Sequence, residues 1–217
     1  MLRFFVLALS FTTLLAACTI DPYEAGDGQY SYLKAEMADM HTAAKCKVDY
    51  AVTDTDEKLT FNPPFNCHWA TTPDSTYRAM LYYKKSPDKT EGNTCVKVWV
   101  LHPMKPSKDT PTDPVKLQSS WLSQNKKYIN LRLGVMSGKP DDEKQKQKIG
   151  IVLNKQVTHT NGKKVIDLQL LHNRNHVPSY YTNILYISIP TTSYKSGDSI
   201  RLKVNTYQGM MEKTFVL

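Results

Sequence analysis

Tyr128-Ile129-Asn130-Leu131-Arg132-Leu133-Gly134-Val135-Met136 decides the fold class. Ile129, Leu131, Leu133 and Val135 recur at every second residue, with Asn130 and Arg132 between them. Successive side chains of an extended strand point to opposite faces, so this spacing sets one face on a core and the other in water. The same period returns on both sides of the segment. Cys46 to Val52 places mainly apolar residues at even positions, with Lys47 and Asp49 facing away. In Cys95 to Val100, Val96, Val98 and Val100 share a face that is expected to meet the core, opposite Lys97 and Trp99. Ile166, Leu168 and Leu170 oppose Asp167 and Gln169, and Ile200, Leu202 and Val204 oppose Arg201 and Lys203. Such one-sided strands suit antiparallel sheets. No comparably long segment shows the helical period, so the chain reads as all-β.

Breakers separate these runs: Asn62-Pro63-Pro64, Thr72-Pro73-Asp74, Ser86-Pro87-Asp88, Asn161-Gly162, Val177-Pro178 and Ser196-Gly197-Asp198. Asn161-Gly162 supplies the positive φ of a tight hairpin, and Gln124 to Lys127 is a second hairpin candidate. The best boundary is Pro103 to Pro114, which holds four prolines, because proline removes backbone donors from a ladder. Five strands are expected before it, near 30–37, 45–53, 57–61, 76–84 and 94–102. Seven are expected after it, near 115–122, 127–136, 147–154, 164–172, 182–189, 198–206 and 212–217. Five short strands suit a small barrel and seven a two-sheet sandwich.

The N-terminus carries an address. Arg3 precedes the apolar run Phe4 to Leu15, which as a helix spans roughly 18 Å against a hydrocarbon core of ~30 Å. Small residues and a cysteine follow, Leu15-Ala16-Ala17-Cys18. This resembles the lipobox of bacterial lipoproteins, so residues 1–17 are expected to be a signal peptide and Cys18 the point of lipid attachment. Residues 18–29 lack apolar periodicity and suit a tether. Loss of Arg3 with the signal lowers the formal charge from +8 to +7. A basic chain attracts anionic partners, but nucleic acid is not available beyond the inner membrane, so glycans and envelope proteins are the partner classes considered.

Taken in order, Gly28-Gln29-Tyr30-Ser31-Tyr32-Leu33-Lys34-Ala35, Asp74 to Tyr83, Asp113-Pro114-Val115, Ser120-Trp121, Tyr128-Ile129-Asn130-Leu131, Leu168 to Asn173 and Ile200 to Tyr207 resemble the NigD-like lipoproteins of Bacteroides and Prevotella relatives. The resemblance covers nearly all of the mature chain. It implies an OB-like barrel over residues 30–104, a Pro-rich linker at 105–114 and an immunoglobulin-like β-sandwich over 115–217. It also implies a lipid-anchored envelope protein, placed at the outer membrane, and a link to bacteriocins. The motifs are strand patterns, so no catalytic residue is carried over.

The search for chemistry leaves few candidates. His172-Asn-Arg-Asn-His176 has helix-type metal spacing, but Asn173, Asn175 and Pro178 argue for a loop. No G-x-S-x-G, H-E-x-x-H, C-x2-C or phosphate-cradling Gly loop is present, so neither metal nor cofactor is expected. Asp167 and Glu212 are the acids considered for sugar hydrolysis. Three cysteines besides Cys18 allow one bridge from three pairings. Cys46, read as a buried strand residue, leaves Cys67 and Cys95 as the favoured partners. In the barrel, Tyr77, Tyr82, Tyr83 and Trp99 interleave with Arg78, Lys84, Lys85 and Lys97. Aromatic platforms beside cations hold sugars and strands on such barrels, which makes Trp99, Lys97, Tyr82 and Tyr83 the candidate ligand residues. The favoured reading is a non-enzymatic module that binds a glycan or a protein at the envelope. The alternatives are a bacteriocin-associated accessory or immunity lipoprotein and, third, an envelope hydrolase.

Cys18→Ser is expected to abolish acyl labelling and detergent partitioning. A variant that still labels and fractionates with membranes like the parent would overturn the anchor.

Overall fold

The alternating runs become strands in a computed structural model, which describes residues 32–107, 110–140, 142 and 145–217. The expected signal peptide, Cys18 and the expected tether lie outside these residues. The strands are β1 (Lys34–Ala44), β2 (Lys47–Thr53), β3 (Lys58–Asn66), β4 (Ser75–Lys85), β5 (Thr90–Val100), β6 (Pro103–Met104), β7 (Lys116–Leu122), β8 (Tyr128–Ser137), β9 (Lys148–Thr158), β10 (Lys164–Asn173), β11 (Tyr181–Pro190), β12 (Ser199–Thr206) and β13 (Gly209–Val216). There is no helix among the described residues, and the protein is all-β.

The first five strands pair antiparallel in the order β3-β2-β1-β4-β5, the neighbour order of an OB-like barrel. Ala38, Met40, Val48, Ala51, Leu59, Phe61, Ala79, Leu81 and Tyr83 fill its core. Side chains bring the two outer strands together. The ring of Phe65 on β3 lies against the backbone of Gly92 on β5, where any Cβ would collide with it. The Trp69 indole N–H donates to the Cys95 carbonyl at 3.1 Å. A disulfide joins Cys67, just after β3, to Cys95 on β5. The seam is therefore closed by packing and a covalent bond where the other strand pairs use ladders.

At its far end β5 leaves the barrel and runs parallel to β11, with Val98, Trp99 and Val100 beside Tyr186, Ile187 and Ser188. One eight-stranded sheet, β3-β2-β1-β4-β5-β11-β8-β7, thus serves both halves. The second sheet is β13-β12-β10-β9-β6. Ile129, Leu131, Leu133, Val135, Ile187 and Ile189 from the first sheet meet Ile151, Ile166, Leu168, Leu170, Ile200, Leu202 and Val204 from the second. This is the sandwich core. Three ladders are parallel, β5–β11, β10–β12 and β6–β9, where alternation alone suggested antiparallel pairs. The β10 to β12 connection passes through β11 in the opposite sheet, and such a crossover returns a strand parallel.

Within the Pro-rich stretch, the Pro111 carbonyl accepts from the His172 N–H, and the Asp113 N–H donates to the His172 carbonyl. Thr112 offers its carbonyl to the Asn205 amide at 2.7 Å. Lys34–Leu217 forms one compact unit.

Four sequence expectations are corrected. The first strand runs over Lys34–Ala44, not 30–37, because its inward residues Ala38, Met40 and Thr42 are small or mixed and hide the period. The third extends through Pro63-Pro64 to Asn66: pairing skips from Thr60 to Phe65, so the prolines sit in an irregularity and not in the ladder. Cys46 is not a core residue; it occupies the β1–β2 turn at φ 60°, partly exposed, with its thiol 3.4 Å from the His68 carbonyl. On β5 only Val98 of the three valines is buried, while Val96 and Val100 are 41% and 38% exposed. The register explains this: Cys95 opposes Leu81 and Lys97 opposes Ala79, so the odd positions of β5 take the barrel's inner side.

Arg78 joins the halves. It leaves β4 on the barrel's outer face, is 5% exposed, and donates to Asp54 at 2.6 Å, Asp39 at 3.4 Å, Ser188 at 3.1 Å and Asn130 at 3.3 Å. The Asn130 amide returns to Asp54 at 2.8 Å, and the guanidinium lies 4.0 Å from the centre of the Tyr128 ring. Burial raises the Asp39 carboxyl above its ordinary range even though Arg78 pulls it down. No buried side-chain nitrogen or oxygen lacks a partner among the described residues.

Arg78→Met should lower stability by about 3–5 kcal/mol in denaturant titration, because it leaves the half-buried Asp39 and Asp54 without their cation. Cys95→Ala should cost about 3–4 kcal/mol through the freed 28-residue loop. Midpoints within error of the parent for either variant would contradict these assignments.

Candidate ligand-binding pocket

A cavity lies where the ends of β5 and β8 meet the start of β9 and the first half of β11. Leu101, Val135, Ile149, Val177, Leu185 and Ile187 line it, and its volume is about 660 Å³. That size falls within the range of small-ligand sites. The inward period places Val135 and Ser137 of β8 beside Asn183, Leu185 and Ile187 of β11 on the same face. Gly138 lets the wall turn: a Cβ there would meet the Tyr180 ring and Pro178 at 2.8–3.0 Å. Gln145, Lys146 and Gln147 form the opposite rim.

Trp99 stands at the mouth. Its register partner is the core residue Ile187, so it faces the inner side of the sandwich sheet and lines the cavity, while remaining 51% exposed. The Lys97 ammonium lies 5.0 Å from the centre of the indole. The expected pair is therefore together. Its location differs from the expectation: β5 does not turn the pair away from a valine core but carries it to the edge of the neighbouring one.

Tyr82 and Tyr83 do not join this site. Tyr83 is fully buried in the barrel core, and its hydroxyl donates to Glu36 at 3.2 Å. Burial, then the Glu36 charge, push its phenol far above the ordinary range. A residue so enclosed cannot be a stacking platform. Tyr82 projects from the other face of β4, half-buried near Tyr186, and burial raises its pKa as well. Of the cysteines, Cys67 and Cys95 form the disulfide and Cys46 is a free thiol.

Gln147 is held from two sides. Its amide nitrogen donates to the Met136 carbonyl at 2.7 Å, and its oxygen faces His172 Nε2 at 3.0 Å. His172 Nδ1 lies 3.1 Å from the Asp113 carbonyl. His172 is 2% exposed near the end of β10, and burial lowers its pKa. Its sequence companion His176 sits in a turn at φ 60°. Among the described residues no group of three His, Cys, Asp or Glu is arranged to hold a metal.

The acids considered for hydrolysis are engaged elsewhere. Asp167 receives a bidentate contact from Arg201 at 2.6 and 2.7 Å, and Glu212 pairs with Lys203 at 3.7 Å. Both lie on the outer face of the second sheet, not in the cavity. His41 is bracketed on the barrel by Asp49 at 2.7 Å and Asp74 at 3.1 Å. Those hydrogen bonds raise its pKa, Asp49 first, and occupy both ring nitrogens. The rim residues Gln145, Lys146 and Gln147 lie in a polar stretch without alternation, so the sequence carries no signal for them. The inner wall was visible only as strand alternation at 183–187.

Residues 100–217 match the model of the NigD-like C-terminal beta sandwich domain. Similar solved structures include a NigD-like immunity protein from Bacteroides caccae, 21% identical, with 84% of this chain and 96% of that one covered at a TM-score of 0.61. A putative toxin-related protein from Parabacteroides distasonis is 15% identical, with 85% and 93% covered at 0.62. A protein of unknown function from Bacteroides vulgatus is 20% identical, with 85% and 90% covered at 0.61. At these identities the likeness is one of fold. A search of curated proteins finds no match.

Proposed function

Because the chain belongs to the NigD-like family, we propose that it is a lipid-anchored envelope protein, held at Cys18 to the outer membrane, that binds a protein or peptide partner without catalysis. The preformed cavity carries this reading. Its inner walls are mainly aliphatic, with Ser137, Asn183 and Gln147 the polar exceptions, and a half-exposed Trp99 with Lys97 beside it stands at the entrance. Sugars call for dense hydrogen bonding around an aromatic face, whereas these walls suit an inserted apolar side chain. Tryptophan at such a position is typical of an interface hot spot.

The adjoining backbone supports a peptide over a glycan. Residues 181–185 pair with β8 on one side, and β5 joins β11 only from Tyr186 onward. Among the described residues no strand covers their other edge. An extended chain laid there would gain main-chain hydrogen bonds while one of its side chains entered the cavity.

A second reading specifies the partner as a bacteriocin, with the chain acting as an immunity or accessory lipoprotein. It is favoured by the name of the Bacteroides caccae structure, an immunity protein of the same fold.

The readings are tested by offering the protein a displayed peptide library, a glycan array and bacteriocin peptides in parallel. Peptides with a large apolar residue should be enriched. Trp99→Ala should weaken their binding about 30-fold, the loss of ~2 kcal/mol typical of a hot spot, with melting within a few degrees of the parent. Glycan binding alone, or peptide affinity unchanged in Trp99→Ala, would reject the proposal.

A further inference from the structure

Hydrogen-bond bookkeeping around Gln147 leaves His172 with no neutral form that satisfies every contact. The Met136 carbonyl can only accept, so the Gln147 end facing it must be the NH₂ group. The other end, facing His172 Nε2 at 3.0 Å, is then the amide oxygen, also an acceptor. The Asp113 carbonyl, 3.1 Å from Nδ1, is a third acceptor. Flipping the amide does not help, because it would set two oxygens against each other at Met136. Both ring nitrogens therefore need a proton, and only an imidazolium has two. A neutral ring must give up one contact. Nδ1 faces the Asp113 carbonyl, a fixed backbone group, whereas Nε2 faces a side chain that can turn; Nδ1 is therefore the nitrogen that keeps its hydrogen, and Nε2 turns a lone pair toward the Gln147 oxygen.

We propose that His172 gates the cavity: its protonated form locks Gln147 onto the rim between β8 and β10, and its neutral form releases Gln147 and widens the entrance. The inference rests on the cavity being the binding site. The link is direct, since Gln147 lines the cavity and Met136 lies beside the wall residues Val135 and Ser137 on β8.

The charges facing the imidazole oppose one another. Asp113 favours the cation, whereas Arg174, at the end of the histidine's own strand, disfavours it. Asp113 is already engaged by the Arg174 backbone N–H at 2.6 Å. The neutral Gln147 just before β9, and Ile149 on β9 opposite His172 in register, add no charge. Burial is the largest influence and holds the pKa below the ordinary imidazole value. The sign follows: the folded protein takes up this proton less readily than the unfolded chain does. Stability from this residue is thus present above the unfolded pKa and lost as pH falls through the folded one. The entrance is wider at neutral pH and narrower in acid.

The test is a nitrogen-15 NMR titration of the protein from pH ~7.5 to ~4.5, following the His172 ring and the Gln147 side-chain amide. At neutral pH Nδ1 should carry the proton and Nε2 should be bare, and the Gln147 signals should move with the His172 midpoint. Gln147→Leu should lower that midpoint by about one unit, the worth of one hydrogen bond to a charged group. The fluorescent anion anilinonaphthalene sulfonate serves as the cavity probe. It should bind about fivefold more weakly in acid than at neutral pH, with that difference absent in Gln147→Leu. The gate is overturned if the Gln147 signals ignore the His172 titration, if the midpoint is unmoved in Gln147→Leu, or if His172 fails to titrate before circular dichroism reports unfolding. If Trp99→Ala leaves probe binding unchanged, the cavity is not the binding site, and the NMR result still decides whether His172 governs Gln147.

Discussion

The architecture turns on one guanidinium. Arg78 rises from the barrel and spends its donors on both halves, Asp39 and Asp54 on its own side, Ser188 and Asn130 on the other. A buried charge is tolerable only when geometry and count are right. Here the arrangement is redundant, since Asn130 also bonds Asp54 and Ser188 donates to Asn130 at 2.7 Å. The contact ties the barrel to the sandwich beside the strand β5, which passes from one to the other and pairs with β11.

Everything at the cavity mouth follows from that passage. A strand has two faces, and β5 uses the same face twice: Cys95 closes the barrel, and Trp99 four residues later edges the sandwich. Lys97 lies between, at the rim of both, so its stem is free to lay its charge over the indole. Were the halves joined by a flexible linker, Trp99 would have no fixed opposite wall. The shared sheet makes the pocket a property of the whole chain and not of either core.

Much of this was legible in the residues, and the failures have physical reasons. Period two located nearly every strand, because each buries one face; the sandwich strands, with unbroken Ile, Leu and Val alternation, were the clearest. β1 was misplaced because alanine, methionine and threonine dilute its inward face. Periodicity also cannot say which side of a strand is inside. On β5 this sent the valines inward and Trp99 outward, when the Cys95–Leu81 pairing dictates the reverse. Tyr82 and Tyr83 are neighbours and therefore point oppositely, so they could not both be platforms. Arg78 reads as one more surface cation, since its partners at 130 and 188 are brought near only by the tertiary fold. The tie between His172 and Gln147 is equally non-local and leaves no pattern.

The seam between β3 and β5 has a further consequence. It has no backbone ladder; Phe65 upon Gly92 and the Trp69 indole on Cys95 close it by packing, and the disulfide is its covalent tie. Such bonds form in oxidising surroundings and not in reducing ones. The same polypeptide is thus two molecules, one whose seam is held by packing alone and one whose seam is also tied covalently. Which one exists is set by the redox state of the compartment around it.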